Sequence, residues 1–326
     1  MNLADLFTVT TLTDAINKLP SVPGLAGATG LFEEKGVTTS SIVVEQRAGQ
    51  LHLVQSIDRN ADPTIVKSGK RQRRSFEIPH LPVAGQLLPS ELQDIAPFGA
   101  DGGAMPQATI INDKLEEMKA SLEATREWQR IGAIKGQILD ADGSIIYDLY
   151  KEFDIEQHRV NIALANKNTD VLKECNNLKR HVEKNVRGQI LNGVQAFVGA
   201  DFYDALVGHD RVRAAFANWQ AAQDRLGGDM RSGFTFGGIT FIEYAGEVNG
   251  QPFISPDVAR ILPNAKNVFR MYNAPANYNE TTNTIGLPFY AKAQERRLGK
   301  GWDLEAQSNP LALCLYPEAL VELKLT

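Results

Sequence analysis

Residues 42–83 constrain this chain of 326 residues more than any other stretch. IVVEQRAGQLHLVQSI is β-branched and apolar and breaks at Ala48-Gly49-Gln50, which predicts two strands around a turn. The polar segment 57–70 holds Asp62-Pro63 and Ser68-Gly69 and reads as a long exposed loop. QRRSFEIPHLPV then returns as an extended segment. Pro79 and Pro82 keep it off the middle of a sheet, because proline donates no ladder hydrogen bond. Together these residues form a long two-stranded excursion with a charged tip and too few apolar residues for a core. An isolated two-stranded ribbon is marginal in water. Whatever the rest of the chain folds into must therefore let this ribbon lie against another surface.

The tip of that excursion is basic. Lys67, Lys70, Arg71, Arg73 and Arg74 crowd into KSGKRQRRSFEIPHLPV, just before Phe76. The chain as a whole is acidic, with 39 Asp and Glu against 34 Lys and Arg and a net charge of −5. A protein that lives on nucleic acid carries a basic excess, and stacking on bases needs interleaved aromatics, of which only Phe76 is near. A partner-protein surface is the leading reading of the run, ahead of a solvated loop tip and of a nucleic-acid contact.

The remaining chain alternates helical and extended patterns. Thr11–Leu19 has the pattern of a short helix, followed by the Gly- and Pro-rich SVPGLAGATG, which reads as an arm. The N-terminal segment lacks the basic and apolar regions of a signal peptide, and no window approaches the ~18 apolar residues of a membrane span. These features predict a soluble protein made in a cytoplasm. The strongest helix spans about 107–135, with Ile111, Leu115, Met118, Leu122 and Trp128 near one face and Glu116, Glu117, Lys119, Glu123 and Arg126 elsewhere. GQILDADGSIIYDLY predicts a hairpin at Asp142-Gly143. Further helices are expected at about 168–191, over DFYDALVGH with Asp201 as N-cap, and over DRVRAAFANWQAAQDRL. Strands are expected at VQAFVG, on both sides of Gly237-Gly238, at 267–275, and on both sides of Tyr316-Pro317. The fold class is α+β.

Catalytic patterns are missing: the sequence has no GxxxxGK[ST], no GxGxxG after a strand, no HExxH and no GxSxG. GLAGATG carries glycines at intervals of three, but in an arm rather than between a strand and a helix. His52, His80, His158, His181 and His209 are scattered without an i, i+4 pair, and read as surface or hydrogen-bonded groups. The carboxylates Asp140, Asp142, Asp148, Glu152 and Asp154 cluster around the hairpin with nothing to select a catalytic pair. Cys175 and Cys314 read as two buried thiols. No catalytic, cofactor or metal residue is expected.

Several motifs resemble a known family. IVVEQRAGQLHLVQSIDRNADP followed by RRSFEIPHLPVAGQLLPSEL is similar to the front of the lambda-like phage major capsid proteins, the capsid protein E family. The shared steps are Phe76 to Pro79 and Pro89-Ser90-Glu91-Leu92 before a long helix. GGITFIEYAG, MYNAPANYNETTNTIGLPFYAK and SNPLALCLYPEALVELKL resemble the family's later strands, in order, from about residue 37 to the end.

The resemblance implies an HK97-like capsid fold: an N-arm at 1–36, an E-loop with flanking strands at 37–95, and a P-domain with a long spine helix at 96–193. An A-domain at 194–300 and C-terminal return strands at 301–326, rejoining the P-domain sheet, complete it. It implies hexamers and pentamers in an icosahedral shell that encloses double-stranded DNA without sequence-specific binding. A separate scaffolding protein, a portal and a decoration protein are the implied partners. The location is the virion, after assembly in the host cytoplasm. In this reading the E-loop lies over an adjacent subunit, with Lys67, Lys70, Arg71, Arg73, Arg74 and Phe76 as inter-subunit contacts. The alternatives are an encapsulin-type compartment shell, which shares the fold, a cytoplasmic enzyme of unknown class, and a basic-loop nucleic-acid binder.

Overall fold

The computed structural model describes residues 8–19, 24–47, 71–92, 107–186, 189–226, 233–248 and 250–326. The longest element is helix α4 (Gln107–Lys135), preceded by α1 (Val9–Lys18), α2 (Leu25–Ala28) and α3 (Pro89–Leu92). At 1.5 Å per residue, α4 is a rod of ~43 Å. Its first half points Ile111, Leu115, Met118 and Leu122 into a small core. Leu12 and Ile16 of α1 close one side of that core, and Leu87, Phe289 and Leu304 close the other. Its last turns carry Ile131, Ala133 and Ile134 into the main core. One helix thus joins two hydrophobic clusters. It stops at Gly136, whose φ is +80°, a left-handed value that favours glycine. A Cβ there would lie 2.3 Å from the Tyr150 ring.

The main core sits on a six-stranded sheet. Its order is β7 (His158–Ile162), β18 (Val321–Leu325), β13 (Val258–Ala265), β8 (Leu191–Val198), β10 (Ile239–Glu243) and β9 (Phe234–Phe236). Phe197, Phe241, Ile261 and Leu323 are buried there, each worth roughly 1.5–3 kcal/mol when removed from water. Helix α6 (Val171–Asn185) packs on this sheet through Val171, Cys175, Leu178 and Val182; Asp170 caps it by accepting from the Lys173 amide. Helix α7 (Ala200–Gly208) contacts β10, and α8 (Asp210–Leu226) contacts α7 and β9. The expected cap of α7 is corrected: Gly199 occupies the N-cap, and Asp201 lies in the first turn without a side-chain cap bond.

Two three-stranded sheets flank α4. One is β1 (Phe32–Gly36), β14 (Phe269–Asn273) and β17 (Pro310–Cys314). The other is β15 (Tyr290–Glu295), β16 (Trp302–Ser308) and β4 (Leu81–Leu87). Pro82 lies on β4, the edge strand, where its missing N–H is tolerated. Three two-stranded pieces complete the described strands: β2 (Ser41–Arg47) with β3 (Arg71–Glu77), β5 (Gln137–Leu139) with β6 (Ile145–Asp148), and β11 (Glu247–Val248) with β12 (Gln251–Pro252). Helix α5 (Leu149–Glu152) follows β6, capped by the Asp148 carboxylate.

Several elements cross the expected divisions of the chain. Within the segment expected as an arm, Phe32–Gly36 pairs in parallel with Phe269–Asn273 and brings Leu31 and Phe32 into the core. The division at 193/194 crosses one sheet, since β7 and α6 lie with β8 and β13. The return strands also part company: β17 joins the sheet beside α4, whereas β18 enters the six-stranded sheet. Strand β13 carries no alternating signal and contains Pro263. Its pairing with β18 ends at Ile261, so at Pro263 it has only β8 beside it. The strand predicted after Ala48-Gly49-Gln50 lies outside the described residues.

Candidate assembly surfaces

The ribbon is anchored by its base. β2 and β3 run antiparallel from Ser41 opposite Glu77 to Arg47 opposite Arg71. Near the base, Ile42, Phe76 and Ile78 are buried in the main core. The Phe76 ring meets Tyr147 edge-on at 5.1 Å and lies 6.3 Å from Phe153. The Tyr147 hydroxyl accepts from the Glu77 amide at 2.7 Å and donates to the Glu77 carbonyl at 3.1 Å. The β5–β6 hairpin thus grips the ribbon within its own chain.

This grip corrects one expected contact residue. Phe76 is 0% exposed, so it has no surface to offer a neighbouring subunit. Its role is to hold the ribbon root. Arg74 is half-buried, with its guanidinium 5.3 Å above the Phe153 ring, so its stem and charge are partly used inside the chain. Arg73 is exposed on β3. Arg71 ends the paired part of β3, and Lys67 and Lys70 lie outside the described residues.

A second feature escaped the helical pattern. Arg126, Glu127, Gln129 and Arg130 are all buried on α4, between its two apolar stretches. The Arg126 guanidinium donates to Glu34 Oε1 at 2.8 Å, Asn273 Oδ1 at 2.9 Å and Ser308 Oγ at 3.1 Å, and stacks over Phe289. Arg130 reaches Glu34 at 3.1 Å and Glu127 at 3.3 Å. Glu127 also accepts from the Tyr244 hydroxyl at 2.6 Å and from the amides of Ala26 and Gly27 at 2.6 and 3.1 Å. A buried charge is tolerable only when paired and hydrogen-bonded; each charge here has such partners, while the Nε atoms of Arg126 and Arg130 are buried without one. Burial works against ionising Glu34, but Arg126 and Arg130 outweigh it and hold its carboxyl below the ordinary value. Burial first, and then the bond to Glu127, pushes the Tyr244 hydroxyl far up. The seam ties β1, the short helix α2 and the end of β10 to one stretch of α4. It also settles the glycine repeat at 24–30, because a carboxylate of the same chain occupies its amides.

Among the described residues the histidines, cysteines and hairpin carboxylates are spread over separate sites. His158 and His181 stack at 3.9 Å with 9° between their planes, a proximity that sequence spacing hides. His181 Nε2 lies 2.9 Å from the Glu318 carbonyl, and burial pulls its pKa down. His80 contacts Asn309, and the buried His209 contacts the Asn166 carbonyl. Asp142 and Asp148 accept backbone amides in the hairpin turn and at the α5 cap. Burial raises both cysteine thiols to about 12. Among the described residues no His, Cys, Asp and Glu group could hold a metal ion, and no helix is long and apolar enough to cross a membrane.

Residues 8–325 match the family described as phage major capsid protein E. The chain belongs to that family. A major capsid protein of Salmonella phage Felix O1 is 26% identical over 98% of this chain and 96% of its own length. Among solved structures, a protein assigned as a prophage capsid protein of E. coli CFT073 superposes with a TM-score of 0.60 at 14% identity, covering 98% of this chain and 99% of that one. The capsid protein of Myoviridae phage XM1 superposes at 0.52 with 10% identity and 94% coverage of each chain. The fold is therefore the HK97-like capsid fold. Within the capsid protein E family the chain is a structural protein of the virion shell and not an enzyme. Family membership also sets aside the compartment-shell alternative.

Proposed function

We propose that the chain assembles into hexamers and pentamers that build the icosahedral head of a tailed phage around double-stranded DNA. The family match over residues 8–325 is the observation that carries this reading. The net charge of −5 supports a shell that encloses DNA without gripping it. A separate scaffolding protein, a portal and a decoration protein are its proposed partners. The division into arm, E-loop, P-domain and A-domain follows the same reading, with the arm ending before Phe32 and β18 counted with the A-domain sheet.

The ribbon supplies the subunit contact. Its root is fixed by Phe76, and Lys67, Lys70, Arg71 and Arg73 are the charges proposed to meet acidic groups of an adjacent copy. Charges in such a contact set register and partner choice more than raw affinity. Repetition over many copies turns weak contacts into a stable shell.

Negative-stain electron microscopy and light scattering of the protein, alone and coexpressed with its neighbouring genes, test the reading. Rings, tubes or shells support it. A 35.8 kDa monomer under every condition sinks it.

A further inference from the structure

The loop joining β15 to β16 holds a leucine in an unusual position. Leu298 is 89% exposed, and its φ of +66° and ψ of 22° are left-handed. Bulky residues rarely adopt that conformation, because Cβ crowds the following carbonyl. The loop is nonetheless firmly built. Arg296 donates its amide to the Gly301 carbonyl at 2.9 Å, and Gly299 to the Arg296 carbonyl at 3.1 Å. The Arg296 side chain pairs with Asp303 at 3.4 Å. Gly301, with φ +104°, packs so closely that a Cβ would lie 2.2 Å from the Leu87 carbonyl oxygen. A rigid loop therefore presents an apolar side chain to water at a conformational cost. Arg297 and Lys300 flank it as an exposed basic collar.

The same chain carries a surface of the opposite character. A trough of about 280 Å³ runs along the outer side of α4. Ala120, Ala124, Val248 and Phe253 line it together with Glu116, Glu123 and Glu247. The small alanines leave room for an inserted side chain. Lys119 also borders the trough, but its amine is turned to the Leu19 carbonyl at 2.8 Å.

We infer that Leu298 of one copy seats in the Ala120–Ala124 trough of a second copy, with Arg297 and Lys300 against Glu116, Glu123 and Glu247. The inference rests on the shell-forming reading. Charge favours this pairing over tip against tip, where two basic collars would repel. Tip and trough are different surfaces, so the contact is head-to-tail and can propagate through rings and lattices.

The test uses the full chain under conditions in which the wild type forms shells; failure of the wild type to assemble at all would count against the shell reading instead. Leu298→Asn keeps a residue that tolerates the left-handed conformation and removes the apolar side chain. It should leave the monomer as stable as before or more so, and raise the concentration needed for assembly about tenfold or more. Assembly at the wild-type concentration overturns the inference. Glu247→Lys should weaken assembly, and adding Arg297→Glu should restore it; no restoration counts against the trough. In a third arm, Leu298→Cys with Ala120→Cys should give an inter-subunit disulfide in oxidised shells. Leu298→Cys alone crosslinking between copies would mean that tips meet tips, and would overturn the assignment.

Discussion

The Arg126 guanidinium, wholly buried on α4, lies 2.8 Å from the Glu34 carboxylate on β1. That contact joins the helix to a strand 92 residues away in sequence. It sits where the two hydrophobic clusters of the chain meet, so both depend on it.

Arg126→Met should therefore cost about 1–3 kcal/mol, because it leaves the buried Asn273 and Ser308 side chains short of a donor, while the partly exposed Glu34 keeps Arg130. The midpoint of urea unfolding reads this directly. Arg126→Lys should recover only part of the loss, since an ammonium cannot reproduce the guanidinium fork.

The same pair predicts an acid limb. The folded chain holds the Glu34 carboxyl below its ordinary value of 4.5, so below that pH the unfolded chain binds more protons. The stabilisation from Glu34 is complete above about pH 4.5 and is lost as pH falls through the lower folded value. Urea midpoints measured between about pH 3 and 6 should fall more steeply for the wild type than for Glu34→Gln.

Phe76 and Arg73 should separate folding from assembly, although they are three residues apart on one strand. Phe76→Ala opens a cavity in a fully buried site and should cost about 3–5 kcal/mol in the isolated subunit. Arg73→Glu, combined with Lys70→Glu, should block shell formation while the subunit still folds. Normal shells from the charge-reversed protein would end the case for the ribbon contact.

Gly136→Ala should lower stability by at least about 2 kcal/mol, since it adds a left-handed alanine to a clash with the Tyr150 ring. Thermal unfolding checks this, and Tyr150→Ala in the same chain should relieve only the steric part.

Patterns that depend on local chemistry were legible in the sequence. The helix at 107–135, the hairpin at Asp142-Gly143 and the strands around Gly237-Gly238 follow from periodicity and turn residues alone. Contacts between distant segments were not. Arg126 looks solvated on a helical wheel, and only β1, β14 and β16 arriving around it make it interior. β1 itself reads FEEKG, with no alternation, because it is defined by its parallel partner rather than by its own residues. The ribbon was legible as a segment needing support. The sequence left open that Phe76 draws part of that support from Tyr147 of the same chain. Leu298 gave no signal beyond its arginine and glycine neighbours, since backbone strain has no letter in a sequence.

Among the described residues strand β7 pairs only with β18, made roughly 160 residues later. At ~5–20 residues per second, a nascent chain waits on the order of ten to thirty seconds before its six-stranded sheet can close. Until then residues 158–162 have no sheet to join. A chain released before β18 is made thus leaves β7 without the strand that joins it to the sheet.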